Sequence, residues 1–415
     1  MVLQNGMDPG HPVRLEPFLH QVGGHLSVMK YDEHTVCKPL SSQEQSFYES
    51  LPLAMKQFTP EYKGTITVQL RRDSLGHLSL VANPLKEKGG PFQVSPESAA
   101  VAIWQTLRQS TGGGARPLAP WQPSQLTHSF KESRTTELLK SEFRLHSPVP
   151  TLEGKEAEEH QAQSTCNPWG LHCHQAHLTR LCSEYQENKL QRFLLLENVV
   201  SQYKLPCILD LKMGTRQHGD DATEEKKARH MKKCEQSTSA RLGVRICGMQ
   251  VYQTDKKNFL CKDKYYGRKL SVAGFRQALQ QFLHDGTRLR AELLEPMQCQ
   301  LRALLSVIKS QASYRFYSSS LLIIYEGQEP PDTPPDSSDS PDSPYPQDAM
   351  QPGLGSSPEG LAKVAIRMID FAHTTYKGSW NESATHDGPD QGYIFGLENL
   401  LQVLQNIQER ASETC

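Results

Sequence analysis

The sequence predicts an α+β fold in two lobes. Three observations carry that reading. A strand-rich stretch near the N-terminus holds one helical pattern, a longer C-terminal stretch alternates buried-strand runs with amphipathic helices, and polar Pro- and Ser-rich segments between them cannot build a core. On these grounds residues 15–107 form an N-lobe and 166–410 a C-lobe, while 1–14, 108–165 and 328–360 are expected to be disordered.

In the N-lobe, His25–Tyr31 and Thr35–Lys38 flank a turn at Asp32-Glu33, which makes a hairpin with Lys38 near the end of its second strand. Ser42 followed by Gln45 opens a helix carrying Phe47, Leu51, Ala54, Met55 and Phe58, with a kink expected at Pro52. Gly64–Leu70 and His77–Ala82 form a second hairpin. Ser98–Leu107 reads as a short helix, and a helical pattern recurs at Leu138–Leu145 inside the insert. In 166–182, Cys166, His172, Cys173, His174, His177 and Cys182 fit no regular zinc spacing, whereas Leu171, Leu178 and Leu181 recur at helical spacing. A packed connecting segment is expected there.

The C-lobe opens with the buried run Phe193–Leu196, which enters Glu197-Asn198-Val199-Val200. Strands are expected at 241–247, 249–253, 259–262, 316–326 and 364–369, and helices at 271–285, 288–311 (restarted or kinked at Pro296) and 396–410. The loop between 327 and 358 contains Thr333-Pro334, Ser340-Pro341 and Ser343-Pro344, candidate proline-directed phosphorylation sites.

Nine residues organise the rest: Pro206-Cys207-Ile208-Leu209-Asp210-Leu211-Lys212-Met213-Gly214, or Pro-x-x-x-Asp-x-Lys-x-Gly. On a strand, Asp210 and Lys212 project from one face. That pair suits phosphoryl chemistry, one group ordering a hydroxyl or metal and the other neutralising a moving phosphoryl group; it equally describes a strand-end salt bridge. Downstream, Asp221 and Glu224 start a helix on which Lys226, Arg229, His230 and Lys233 form one cationic stripe, with Lys227 and Lys232 beside it. The stripe fits a strongly anionic small substrate, or a solvated surface face. Finally, Val364–Ile369 delivers Asp370 into a turn, followed by Phe371-Ala372-His373.

These motifs resemble the inositol polyphosphate kinase family. Pro-x-x-x-Asp-x-Lys-x-Gly is its signature, Ile369-Asp370-Phe371-Ala372-His373 matches a second family motif, and the run Leu211–Asp221 is similar to the inositol hexakisphosphate kinase branch. The resemblance covers about 15–108, 166–326 and 361–410. It implies a two-lobed kinase-like α+β fold, related to protein kinases and ATP-grasp enzymes, with ATP between the lobes. It further implies Mg2+, and transfer of a phosphoryl group from ATP onto inositol hexakisphosphate, at the 5-phosphate, giving a diphosphoinositol pentakisphosphate.

By the same resemblance Lys38 holds the nucleotide phosphates, Glu197 and Val199 contact adenine, and Asp370 binds the metal. Lys212 bridges acceptor and transferring group, while Asp210 meets the ribose or acts as a local acid or base. His373 matches a family residue that faces the inositol phosphate, and the stripe with its neighbours, Lys226, Lys227, Arg229, His230, Lys232 and Lys233, is expected from its helical spacing to bind the same phosphates. A helix glutamate should steady Lys38, and Glu44 and Glu49 both qualify.

Composition narrows the alternatives. A net charge of −1 over 415 residues leaves no global basic field for nucleic acid, and ten cysteines without a CxxC pair fit a reducing compartment. No signal peptide, lipidation motif or membrane-length apolar stretch is present in the sequence, so a soluble cytoplasmic protein is expected, with the nucleus as a second location and a monomer as its state. The chain has neither G-x-x-x-x-G-K-[ST] nor the protein-kinase glycine loop and H-R-D motif. Two rival functions stay open: a kinase for less phosphorylated inositols, and a binding module using the basic helix for nucleic acid or anionic membrane.

Overall fold

Among the described residues, two large antiparallel sheets carry the fold of the computed structural model. It describes residues 12–24, 26–72, 78–83, 167–183, 190–328, 364–378 and 386–413. All of them belong to one of two units of the chain, Met1–Leu85 with Gln163–Cys415. The expected helices at 98–107 and 138–145, the insert 108–165, residues 329–360 of the second loop and its candidate phosphorylation sites lie outside the described residues.

The N-lobe sheet comprises β1 (Val13–Arg14), β2 (Glu16–Pro17), β3 (Met29–Asp32), β4 (Thr35–Pro39), β5 (Tyr62–Arg72), β6 (Leu78–Asn83) and β7 (Leu190–Glu197), in the order β1-β6-β5-β7-β4-β3-β2. Helices α1 (Ser42–Glu49) and α2 (Leu53–Lys56) follow β4, broken around Pro52, whose fixed φ and missing N–H end the first helix. Two expected boundaries move. Val13 and Arg14 pair with Ala82 and Val81, so the lobe begins before residue 15. More consequentially, β7 inserts between β5 and β4, so the N-lobe reclaims residues after 166. Without β7 the sheet would split into two pieces with unpaired edges. Helix α3 (Pro168–Ser183) also joins this lobe, burying Leu178 and Leu181 among Met29, Ile66, Val68 and Phe193.

The C-lobe sheet has the order β10-β9-β8-β12-β13: β8 (Pro206–Met213), β9 (Val244–Gln253), β10 (Asn258–Lys262), β12 (Ser320–Glu326) and β13 (Val364–Ile369). A two-stranded ladder pairs β11 (Arg315–Tyr317) with β14 (His373–Thr375). Helices α4 (Glu224–Glu235), α5 (Thr238–Leu242), α6 (Lys264–Lys269), α7 (Val272–Phe282), α8 (Leu294–Ser310) and α9 (Gln391–Glu413) complete it. The continuous strand expected at 316–326 is divided at Ser318, where φ is +61°. That break sends Tyr317 to pair with His373 and Ser320 with Lys212. The strand expected from Arg241 instead starts at Val244, because α5 ends on Gly243 in the left-handed region, φ +66°.

Side-chain alternation along β8 assigns its two faces. Cys207, Leu209, Leu211 and Met213 enter the main core with Phe275, Phe282, Leu301, Leu304, Leu397 and Leu400. Ile208, Asp210 and Lys212 therefore leave the other face, toward the N-lobe.

Candidate active site

Four charged side chains from distant parts of the chain converge at the end of β8. The buried Lys38 Nζ donates to Glu44 Oε1 and to Asp370 Oδ1, each at 2.9 Å, and Asp370 Oδ2 lies 3.8 Å from Lys212 Nζ. Asp370 reaches Lys212 because β12 pairs with both β8 and β13, setting Ser320 opposite Lys212 on one side and Ile369 on the other. The chain turns at Asp370 with φ +66°, a conformation costly outside glycine and concentrated at functional turns. Burial opposes the Lys38 charge, but Asp370 and Glu44 hold its pKa above the ordinary lysine value. Lys212 donates to Ser318 O at 2.6 Å, which fixes its ammonium.

The choice between the two helix glutamates is decided by depth. Glu44 is 1% exposed, and besides Lys38 it accepts the Phe371 N–H at 3.1 Å. Glu49 is exposed and accepts from half-buried Gln45 and Tyr62 instead.

Asp210 is 3% exposed and its Oδ1 has no hydrogen-bond partner. Burial pushes its pKa up to about 6, with Lys212 opposing the rise and Asp370 adding to it. The N-terminal segment crosses directly over it: a Cβ on Gly23 would meet Asp210 Oδ2 at 2.0 Å, and one on Gly248 would meet Val22 O at 1.8 Å. Only glycine permits those approaches. Beside Asp210, the same sheet face carries an apolar patch of Val22, Val200, Tyr203, Ile208, Ile324 and Ala365, with Val199 against its edge. The connection after β7 supplies Val199 and Val200. Glu197 is anchored there, its N–H donating to Glu61 O and its Oε2 accepting from Glu61 N.

Helix α4 starts after Thr223, whose hydroxyl accepts from Lys226 N, and not at Asp221. Lys226, Lys227, His230 and Lys233 are half-buried, whereas Arg229 and Lys232 are exposed. Lys226 Nζ lies 3.5 Å from His373 Nε2. Burial, reinforced by Lys233, Lys226, Arg229 and His373, lowers the His230 pKa to about 4. Lys232 and the neighbouring Met231 are on the solvent side of the helix. Lys227 sits 3.7 Å from Glu224 and neighbours His218. The loop between β8 and α4 is braced by Asp220, which accepts from Arg216 Nη2 at 2.6 Å and meets His386 Nε2 at 2.8 Å, while the Arg216 guanidinium covers the Tyr317 ring at 4.2 Å.

A family profile described as inositol polyphosphate kinase matches residues 193–405. A human protein named inositol hexakisphosphate kinase 3 is 70% identical over 414 residues, covering 99% of this chain and 100% of that one. The chain belongs to the inositol polyphosphate kinase family. The mouse protein named inositol hexakisphosphate kinase 1 is 49% identical over 419 residues, covering 96% of this chain and 94% of the relative. The relatives fall in the branch to which the run Leu211–Asp221 is similar, type 3 forms included. Among solved structures, an inositol phosphate multikinase from S. cerevisiae in complex with ADP and Mn2+ matches with a TM-score of 0.40 at 24% identity, covering 52% of this chain and 84% of that one.

In this inositol polyphosphate kinase the profile takes in Asp210, Lys212, α4 and Asp370, while Lys38 and Glu44 reach the same centre from outside it. Sequence reasoning missed Gly23 as the cover over Asp210, and the cations Arg216, Arg245, Lys264 and Arg268. Arg245 carried a readable signal, a lone arginine inside the apolar strand run Val244–Cys247. Lys264 and Arg268 had none beyond an ordinary charged helix.

Proposed function

We propose that the chain transfers the γ-phosphoryl group of ATP to a phosphate of inositol hexakisphosphate, giving a diphosphoinositol pentakisphosphate, with the 5-phosphate as acceptor. The observation that carries this reading is the convergence of Lys38, Asp370 and Lys212 within 3.8 Å of one another's charged atoms, pair by pair through Asp370. The half-buried cationic face of α4 beside His373 supports a polyphosphorylated partner. So does the 70% identity to a protein named for that activity.

In this reading adenine packs on the apolar patch around Ile208 and Ile324. The Glu197 N–H is committed to Glu61, so Glu197 offers its carbonyl, and Val199 its N–H. The unpartnered Asp210 Oδ1 accepts from a ribose hydroxyl. Lys38, oriented by Glu44, neutralises the nucleotide phosphates. Among the described residues no three His, Cys, Asp or Glu side chains could cage a metal by themselves, and Asp370 stands at the cleft with a third of its side chain exposed. One carboxylate completed by nucleotide phosphates is a donor set that suits Mg2+. Held by Asp370 together with the nucleotide, Mg2+ would supply positive charge to offset that of the transferring phosphoryl group.

The acceptor phosphate oxygen is already ionised at neutral pH, so the chain need not supply a strong base. Its work is positioning and charge neutralisation. Lys212, held by Ser318 O, faces the oxygen that attacks and the group that moves. Lys226, His230, Lys233 and His373 hold the remaining phosphates.

Turnover of inositol hexakisphosphate with ATP and Mg2+, followed by phosphorus NMR of the product, tests the proposal. A P–O–P linkage in a product that keeps the mirror plane of the inositol ring is expected for the 5-position. Ester formation on less phosphorylated inositols alone would favour the first rival. RNA or vesicle binding that persists in Asp370→Asn without any turnover would favour the binding module.

A further inference from the structure

Arg245 stands on β9 directly opposite Lys212 on β8, so the two side chains leave the sheet on the same face. It is 7% exposed, and its Nη1 donates to Ser239 Oγ of α5 at 2.8 Å. None of the ion pairs among the described residues includes it. A buried guanidinium with no carboxylate within ion-pair distance among the described residues still attracts an anion, and in a phosphoryl-transfer centre the substrate can bring that anion.

Its surroundings have the same sign. Burial, together with Arg268, Arg229, Arg245 and Lys264, holds Lys233 below the ordinary lysine range. At the reacting centre itself, Lys38 and Lys212 face Glu44, Asp370 and Asp210, two cations against three carboxyl groups. Arg245 is the third cation, and its charge reaches Asp210.

The nature of the acceptor decides whether a third cation is needed. In either case the bond from the γ-phosphorus to its bridging oxygen breaks, and the electron pair leaves on ADP. With a hydroxyl acceptor the attacking oxygen starts uncharged and its proton passes to a base. With a phosphate acceptor an ionised oxygen supplies the new pair, no proton moves, and a second polyanionic group must approach the γ-phosphoryl group. That approach is repulsive unless fixed positive charge stands beside it.

We infer that Arg245 is a specificity-determining residue that selects a phosphate over a hydroxyl as acceptor, its buried guanidinium beside Lys212 offsetting the extra charge a phosphate brings. The inference rests on the kinase reading above and adds to it the residue that sets the product class. Lys212 alone serves both acceptors; the pair serves the phosphate.

The test uses the full chain with Arg245→Gln, which keeps a donor for Ser239 but no charge, and Arg245→Lys, which keeps the charge. Substrates are inositol hexakisphosphate and an inositol pentakisphosphate with one free hydroxyl, and phosphorus NMR separates P–O–P products from esters. Arg245→Gln is expected to lower kcat/KM for P–O–P formation at least about tenfold, leave the KM for ATP unchanged, and raise the ester share from the pentakisphosphate. Arg245→Lys should restore most of the loss. An unchanged ester share, a fall that Arg245→Lys does not recover, or an ATP KM that moves in step would make Arg245 a structural residue and overturn the inference. A wild-type chain that forms no P–O–P bond would remove the functional reading and this inference together, whereas normal wild-type turnover with a normal Gln variant removes the inference alone.

Discussion

The ring of Phe47 stacks on that of Phe371, centroids 4.0 Å apart and planes 24° from parallel. Both are fully buried, and the contact joins α1, which carries Glu44, to the turn that carries Asp370. Phe47→Ala should cost about 3–5 kcal/mol from lost burial and the cavity left behind. It should also raise the KM for ATP, because Glu44 and the Phe371 N–H lose their common support. Denaturant unfolding with steady-state kinetics checks both; a cost under about 1 kcal/mol would mean the site closes up around the gap.

Asp370→Asn keeps the size of the side chain and removes its charge. Turnover is expected to fall by orders of magnitude while the chain still folds. Near-normal activity at ordinary Mg2+ would take Asp370 out of the centre.

The two helix glutamates separate cleanly in kinetics. Glu44→Gln leaves the Lys38 ammonium with one carboxylate fewer in a buried setting, so the KM for ATP should rise and kcat fall, together by roughly ten- to a hundredfold in kcat/KM. Glu49→Gln, on the exposed side of α1, should change neither by more than about twofold. Equal effects would contradict the burial difference.

Lys226 and Lys233 lie seven residues apart on α4, about 10 Å along the axis at a 1.5 Å rise per residue. That span suits phosphates on opposite sides of an inositol ring. Changing both to Gln should raise the KM for inositol hexakisphosphate strongly, at about 1–3 kcal/mol per charge-assisted contact, and move the KM for ATP little. Added salt should shrink the difference. If the ATP constant rises as much, the helix serves the nucleotide.

Asp210 predicts a conflict between stability and activity. Its folded pKa, about 6, stands above the ordinary 3.8, so the native state holds the proton more tightly than the unfolded chain does. The resulting stability is fully present below pH ~3.8 and is lost as pH rises through ~6. Asp210→Asn should therefore be more stable than wild type at pH 7, by on the order of 2–3 kcal/mol, and the advantage should shrink at pH 5. Turnover should fall as the ribose contact weakens. A variant that melts lower than wild type at pH 7 would show that the carboxylate is needed for folding.

Local sequence determined a good deal. The period-two alternation of β8 announced that Asp210 and Lys212 share a face, and the structure sends Leu209 and Leu211 to the core on the other. The hairpin ending at Lys38, the turn at Asp370 and the apolar faces of α7, α8 and α9 were equally legible, because each depends on residues within a few positions of one another. The helix at 224–235 was legible as an amphipathic cationic pattern, although its cap was misplaced by two residues.

What the tertiary structure decided depends on long-range closure. The place of β7 inside the N-lobe sheet, the passage of Gly23 across Asp210, the burial of Glu44 against the Phe371 N–H that sets it apart from Glu49, and the pairing of Arg245 with Lys212 join residues tens to hundreds of positions apart. A propensity or a periodicity reports which face a residue presents to its own element. Which partner covers that face is set by sheet order and register, and these are chosen by burying the most apolar surface while leaving the fewest backbone groups unpaired over the whole fold.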